Sequence, residues 1–224
     1  MAASRKSVSG KFDISSLSNA PRQRRSHDLT LRVLDAAETV MRQGGLEAVT
    51  IAAVAREAKV SVGGLYGRFE NRDELISAIH YQAMHRLAEE SAEWLSEPAD
   101  SYETALTNLV ARLIEYFEAH GSLLPVKTSA KALPGTPGVE MEGMLRTRLA
   151  EKLSGFAPRL AGVDLSEAAT MIIHILLASA VREATTDPRA IGRTMTWDKL
   201  RRELPAVVIG YLQTAEARAF ATKT

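Results

Sequence analysis

Residues 50–69 read Thr50-Ile51-Ala52-Ala53-Val54-Ala55-Arg56-Glu57-Ala58-Lys59-Val60-Ser61-Val62-Gly63-Gly64-Leu65-Tyr66-Gly67-Arg68-Phe69. Thr50 stands immediately before Ile51, Val54 and Ala55, where a hydroxyl caps the free N–H groups of a short helix. Ser61 stands in the same relation to a second one. Small Ala55 lets the two helices approach closely, Val60 is expected to fill the corner between them, and Leu65 and Phe69 face back into a core. A helix, a tight turn and a second helix is the helix-turn-helix arrangement, and a second helix so presented fits a duplex major groove roughly 12 Å wide.

Gly63-Gly64 is unusual inside a helix, where each glycine costs about 1 kcal/mol relative to alanine. Either the bare backbone lets something approach closely, or the segment is a loop; taken alone the pair does not decide. Upstream, Leu29, Val33, Ala37, Val40 and Met41 share one face of a helix over about 26–43. Gly44-Gly45 ends it. Asn71 is placed to cap a fourth helix. Residues 1–25, rich in Ser, Lys and Arg and without an apolar period, form a flexible basic tail. Arg22, Arg24 and Arg25 at its end are either a solubilising stretch or an arm able to reach a minor groove or nearby phosphates.

Beyond residue 72 longer helices are expected near 72–96, 101–120, 122–133, 140–157, 164–186 and 196–220. Pro98 and Pro134-Gly135-Thr136-Pro137-Gly138 are the breakers, and Pro205 is expected to kink or split the last helix. No stretch alternates as a strand would, and there is no internal repeat. Over the helix near 164–186, Leu165, Ala168, Met171, Ile172, Ile173, Ile175, Leu176, Leu177 and Val181 make an almost wholly apolar surface. Leu204, Val207, Val208, Tyr211 and Leu212 stripe the last helix. Two such helices per chain suit a four-helix dimer interface, or an ordinary buried hairpin.

The chain has 224 residues, 46% hydrophobic and 25% charged, a composition that excludes wholesale disorder. It has no cysteine, which excludes a disulfide scaffold and thiolate chemistry and fits a reducing, cytoplasmic setting. Net charge is +1, but residues 1–72 hold 12 Lys and Arg against 7 Asp and Glu, while the rest holds 16 against 20. A basic front favours a polyanion. The most apolar stretch, Ala168 to Val181, spans 14 residues and reads as a buried helix, since a bilayer span takes about 20. No enzyme signature emerges, and neither a cofactor nor a metal is expected. Of the five histidines, His80 and His85 sit about 140° apart around a helix and share no face.

The run Val60-Ser61-Val62-Gly63-Gly64-Leu65-Tyr66-Gly67-Arg68-Phe69-Glu70-Asn71-Arg72-Asp73-Glu74-Leu75 resembles the TetR family of bacterial transcriptional regulators, whose pattern is V-S-x-G-x-L-Y-x-H-F-x-x-K-x-x-L. The resemblance covers about residues 26–80 by motif and the remainder by length and helical character. It departs at four positions. Lys59 stands where glycine is usual, on a turn that favours a left-handed backbone; Gly64 stands where Thr, Ser or Ala is common. Arg68 replaces histidine and Arg72 replaces lysine, both keeping positive charge.

The resemblance implies that Thr50, Tyr66 and Arg72 contact phosphates, with Lys59, Gly64 and Arg68 on the same DNA-facing surface, and that Ser61, Val62 and Gly63 lie nearest base edges. Thr50 and Ser61 have the alternative of being caps alone, and Tyr66 of being core. It also implies a homodimer through the last two long helices, and a small-molecule effector bound in the rear body. The effector candidates are Trp94, Tyr116, Phe117, Met144 and His174, with Met141 and His120 beside them; each serves equally as core. The expected whole is an all-α regulator: tail 1–25, a three-helix DNA-binding domain over 26–72, and a larger helical effector and dimerisation domain over 73–224. Its expected function is sequence-specific repression at a double-stranded operator, relieved by effector, in the cytoplasm and not in a membrane. Two other classes remain: an architectural or partner-recruiting DNA-binding protein without ligand, and an all-helical enzyme or binding module.

Overall fold

The computed structural model describes residues 21–123, 137–186 and 194–221. These residues form eight α-helices and no strand: α1 (Pro21–Ala48), α2 (Ile51–Glu57), α3 (Val62–Tyr66), α4 (Arg72–Ser96), α5 (Tyr102–His120), α6 (Pro137–Ser154), α7 (Leu165–Thr185) and α8 (Trp197–Ala221). The chain divides into two compact units, Met1–Ile79 and His80–Thr224, and the division falls inside α4 rather than at its start.

Unit one is the small helical domain. Its core is Val33, Leu34, Ala37 and Met41 from α1, Val49, Ile51, Val54 and Ala55 around α2, then Leu65, Phe69, Leu75 and Ile79. Every one is nearly inaccessible, and the spacing of the α1 members is the helical period seen in the sequence. The helical run in α1 is broken at Gly44-Gly45, as expected: Gly45 takes φ 71° and ψ −176°, outside helical geometry, and a separate short helical stretch follows it to Ala48. α1 starts earlier than expected, at Pro21, so the backbone carrying Arg22, Arg24 and Arg25 is helical rather than part of a tail. The rest of the tail expected over 1–25, residues 1–20, lies outside the described residues.

Unit two is built around α5, whose Leu106, Leu109, Val110, Leu113, Ile114 and Phe117 are buried. α5 packs against α7 and α8, and α7 packs in turn on α6 and α8. Ser101 caps α5 through Thr104 N at 3.1 Å, and Asp164 caps α7 through the N–H groups of Ser166 and Glu167 at 3.0 Å each. Of the helix expected near 122–133, residues 121–123 form one 3-10 turn and the rest lie outside the described residues. α8 passes through Pro205 as one continuous helix and is not split. Proline removes one N–H from a 25-residue helix anchored by buried Leu200, Leu204, Val208 and Leu212 on both sides of it, and that packing outweighs the lost bond.

α7 is not the fully buried helix that its composition suggested. It has 21 residues and a mean hydropathy of 1.4, enough by length and composition alone to cross a bilayer, yet only a third of it is buried. Ala168, Ala169, Ile172, Ile173, Leu176 and Ala180 face the unit's interior. Met171, His174, Ala178 and Val181 are exposed along the opposite face.

Candidate nucleic-acid interface

The two caps expected from sequence are both formed. Thr50 Oγ1 accepts from Ala53 N at 3.1 Å and Ser61 Oγ accepts from Gly64 N at 3.0 Å. Between the helices Ala55 is 1% exposed, and Val60 N donates to Ala55 O at 2.9 Å, closing the turn. Lys59 holds this turn in the left-handed region, φ 56°, the conformation its replacement of glycine foreshadowed. Val60, expected in the corner, is half-buried, and Ala55 and Ala58 beside it are buried.

α3 is therefore a genuine helix, Gly63-Gly64 included. Leu65 is fully buried and anchors it, while Val62 is 44% and Tyr66 55% exposed. The two glycines differ. A Cβ on Gly64 would sit 3.1 Å from Ser61 Oγ, against the capping hydroxyl, whereas a Cβ on Gly63 would meet nothing within 4 Å. A side chain at Gly64 needs the capping hydroxyl to give by a few tenths of an ångström, whereas nothing within 4 Å obstructs one at Gly63.

Arg72, at the start of α4, is turned partly onto its own domain. Its Nε donates to Val49 O and its Nη2 to Leu46 O, each at 2.6 Å. The guanidinium thus bridges the α1–α2 connection to α4, a structural role that the sequence reading did not assign. Beside it, Asn71 Oδ1 accepts from Glu74 N at 2.9 Å and Glu74 Oε2 accepts from Glu70 N at 2.5 Å. This reciprocal arrangement resembles a capping box. Arg68 is half-buried, its Nε shielded from solvent, in the wall of a cavity of about 580 Å³ shared with Asp28, Arg32 and Gly64. Thr50, Lys59, Ser61, Val62, Gly63, Gly64 and Tyr66 are all exposed.

The expected effector residues do not form one site. Trp94, Tyr116 and Phe117 come together, with ring centroids 6.3 Å apart between Trp94 and Tyr116 and between Tyr116 and Phe117; His120 lies 4.8 Å from Tyr116. The Tyr116 hydroxyl donates to Ala83 O at 2.6 Å, tying α5 to α4. Met141 is buried. Met144 is exposed and borders a separate open groove of about 870 Å³ with Arg146, Arg148, Glu151 and Thr170. His174 is exposed on α7 rather than set within an apolar core. Its helix is apolar by composition, but the residue falls on the face that the unit leaves uncovered. Among the described residues no cluster of His, Asp and Glu could hold a metal.

Two capped short helices, a left-handed turn and a second helix exposed along one side define a helix-turn-helix DNA-binding protein. Residues 33–79 match the family model described as bacterial regulatory proteins, tetR family. Over those residues the chain is similar to the DNA-binding domain of that family, and it is a DNA-binding transcriptional regulator. Its fold is shared with solved structures. A TetR-family regulator from Mesorhizobium loti is 23% identical with a TM-score of 0.65, covering 85% of this chain and 98% of that one. A Streptomyces coelicolor TetR-family regulator is 22% identical, TM-score 0.55, covering 85% and 98%. The transcriptional regulator FadR of Bacillus subtilis, solved in complex with stearoyl-CoA, is 18% identical, TM-score 0.52, covering 83% and 96%. No curated protein matches the chain.

Proposed function

We propose that unit one is the operator-binding domain and unit two the effector-binding and dimerisation domain of a cytoplasmic repressor. The observation that carries the reading is the exposed side of α3, held by the Ser61 cap and buried Leu65 and offering Val62, Gly63 and Tyr66 outward. Ser61, Val62 and Gly63 lie nearest base edges. Thr50 and Tyr66 contact phosphates, with Lys59 and Arg68 adding positive charge and Gly64 close backbone; Arg72 contributes through the part of its guanidinium not engaged with Leu46 and Val49. Such phosphate contacts fix register, and the base contacts give specificity.

The uncovered face of α7, together with exposed Val207 on α8, forms the two-fold interface through which two copies present paired recognition helices to a palindromic site. Effector binding in unit two acts through α4, which belongs to both units, and it works only by favouring one arrangement of the dimer over the other. The effector is a small molecule that contacts the Trp94–Tyr116–Phe117 cluster. The family consists of regulators, and no catalytic role is assigned.

Selection of DNA fragments by the purified protein, followed by sequencing, tests this reading. A common two-fold-symmetric sequence is expected, bound with a steep salt dependence. Recovery of sequences with nothing in common, bound weakly and only at low salt, would overturn it.

A further inference from the structure

Resting on that reading, we infer that Val62 and the bare backbone of Gly63 form an apolar notch that reads the C5-methyl group of a thymine in each half-site. The exposed surface of α3 is short of hydrogen-bonding side chains. At the first turn the Ser61 Oγ accepts from Gly64 N at 3.0 Å and keeps only its O–H to donate, Gly63 and Gly64 carry no side chain, and the Tyr66 hydroxyl lies at the far end of the helix. What α3 presents at its first turn is hydrocarbon: the Val62 side chain, 44% exposed, beside the empty space where a Gly63 Cβ would stand.

A major-groove base edge offers donors, acceptors and one apolar feature, the thymine methyl. Only that feature matches an isopropyl group beside bare backbone. Burial of a valine against donors or acceptors would instead leave those groups without partners. Charge complementarity supplies the docking force, since residues 1–72 hold 12 Lys and Arg against 7 Asp and Glu. Val62 is thus a specificity-determining residue of this chain, and Gly63 gives the methyl room.

The test uses the full-length protein and its selected operator, with each thymine replaced in turn by deoxyuridine, which removes the C5 methyl and leaves the Watson–Crick pairing unchanged. At one symmetry-related thymine, binding should weaken about fourfold per methyl removed. Val62→Ala, an exposed change whose fold is checked by circular dichroism, should bind the thymine and deoxyuridine operators equally. A methyl effect absent at every thymine, or one that survives intact in Val62→Ala, overturns the inference while leaving operator binding standing. Failure to select any operator overturns the DNA-readout conclusion itself, and this inference with it.

Discussion

Gly63→Ala separates what the fold needs from what the duplex needs. In the free protein the new methyl meets nothing within 4 Å, and Gly63 lies inside the helix Val62–Tyr66 with no positive φ recorded for it. Alanine there restricts the unfolded chain and raises helix propensity, together worth up to about 1 kcal/mol. For a chain of this size that corresponds to a rise of roughly 2–4 °C in Tm. On DNA the same methyl occupies space that the proposed docking gives to a base edge. Overpacking a close-fitted contact costs about 1–3 kcal/mol, so the variant should bind its operator at least about fivefold more weakly. Thermal unfolding by circular dichroism and fluorescence anisotropy with a labelled operator at fixed salt measure the two effects separately. Gly64→Ala is the control: its methyl would press on Ser61 Oγ, so stability should fall with affinity. If Gly63→Ala binds as tightly as the wild type, close backbone approach at this position is wrong.

Lys59→Gly should relieve the left-handed turn and stabilise unit one by about 1 kcal/mol, while lowering operator affinity and reducing the slope of log K against log salt by about 1 if the ammonium meets a phosphate. Arg72→Met removes both guanidinium bonds to Leu46 and Val49 and should destabilise unit one by about 1.5–3 kcal/mol, seen in denaturant unfolding; a negligible loss would show the bridge to be ornamental. Met171→Arg or Val207→Arg on the exposed apolar faces should shift light scattering from dimer to monomer without changing helix content, and a dimer that persists in both places the interface elsewhere. Burial lowers the pKa of His80 below its ordinary value near 6.5, so the unfolded state binds more protons than the folded one. Stability should therefore be level above pH 6.5 and fall as the pH drops below it, and His80→Gln should flatten that part of the unfolding profile.

Much of unit one was legible because its signals are local. Caps at Thr50 and Ser61 act over three residues, and the left-handed turn at Lys59 follows from a single position where glycine is expected. Leu65 and Phe69 are spaced to share a helix face, and both are buried. The misplacements arose where distant packing decides. Pro205 carried a break signal, but buried leucines on both sides hold α8 together. The Arg72 bridge links positions 23 and 26 residues apart, and no local pattern announces it. His174 looked interior because composition alone does not say which face of a helix finds cover.

That last point bears on how such a chain carries two partners. A helix as apolar as α7 stays stable in one unit only if its outer face is covered or its inner face suffices. Here the inner face is complete, from Ala168 to Ala180, and the outer one keeps Met171 and Val181 in solvent. Exposed apolar side chains along a helix are a standing cost that burial against the proposed second copy would remove. On α3 the logic is the same at smaller scale: a glycine without steric need and a valine without cover are both local losses to the isolated domain. Departures from local optimality that the rest of the fold does not repair mark the surfaces where an external partner completes the structure.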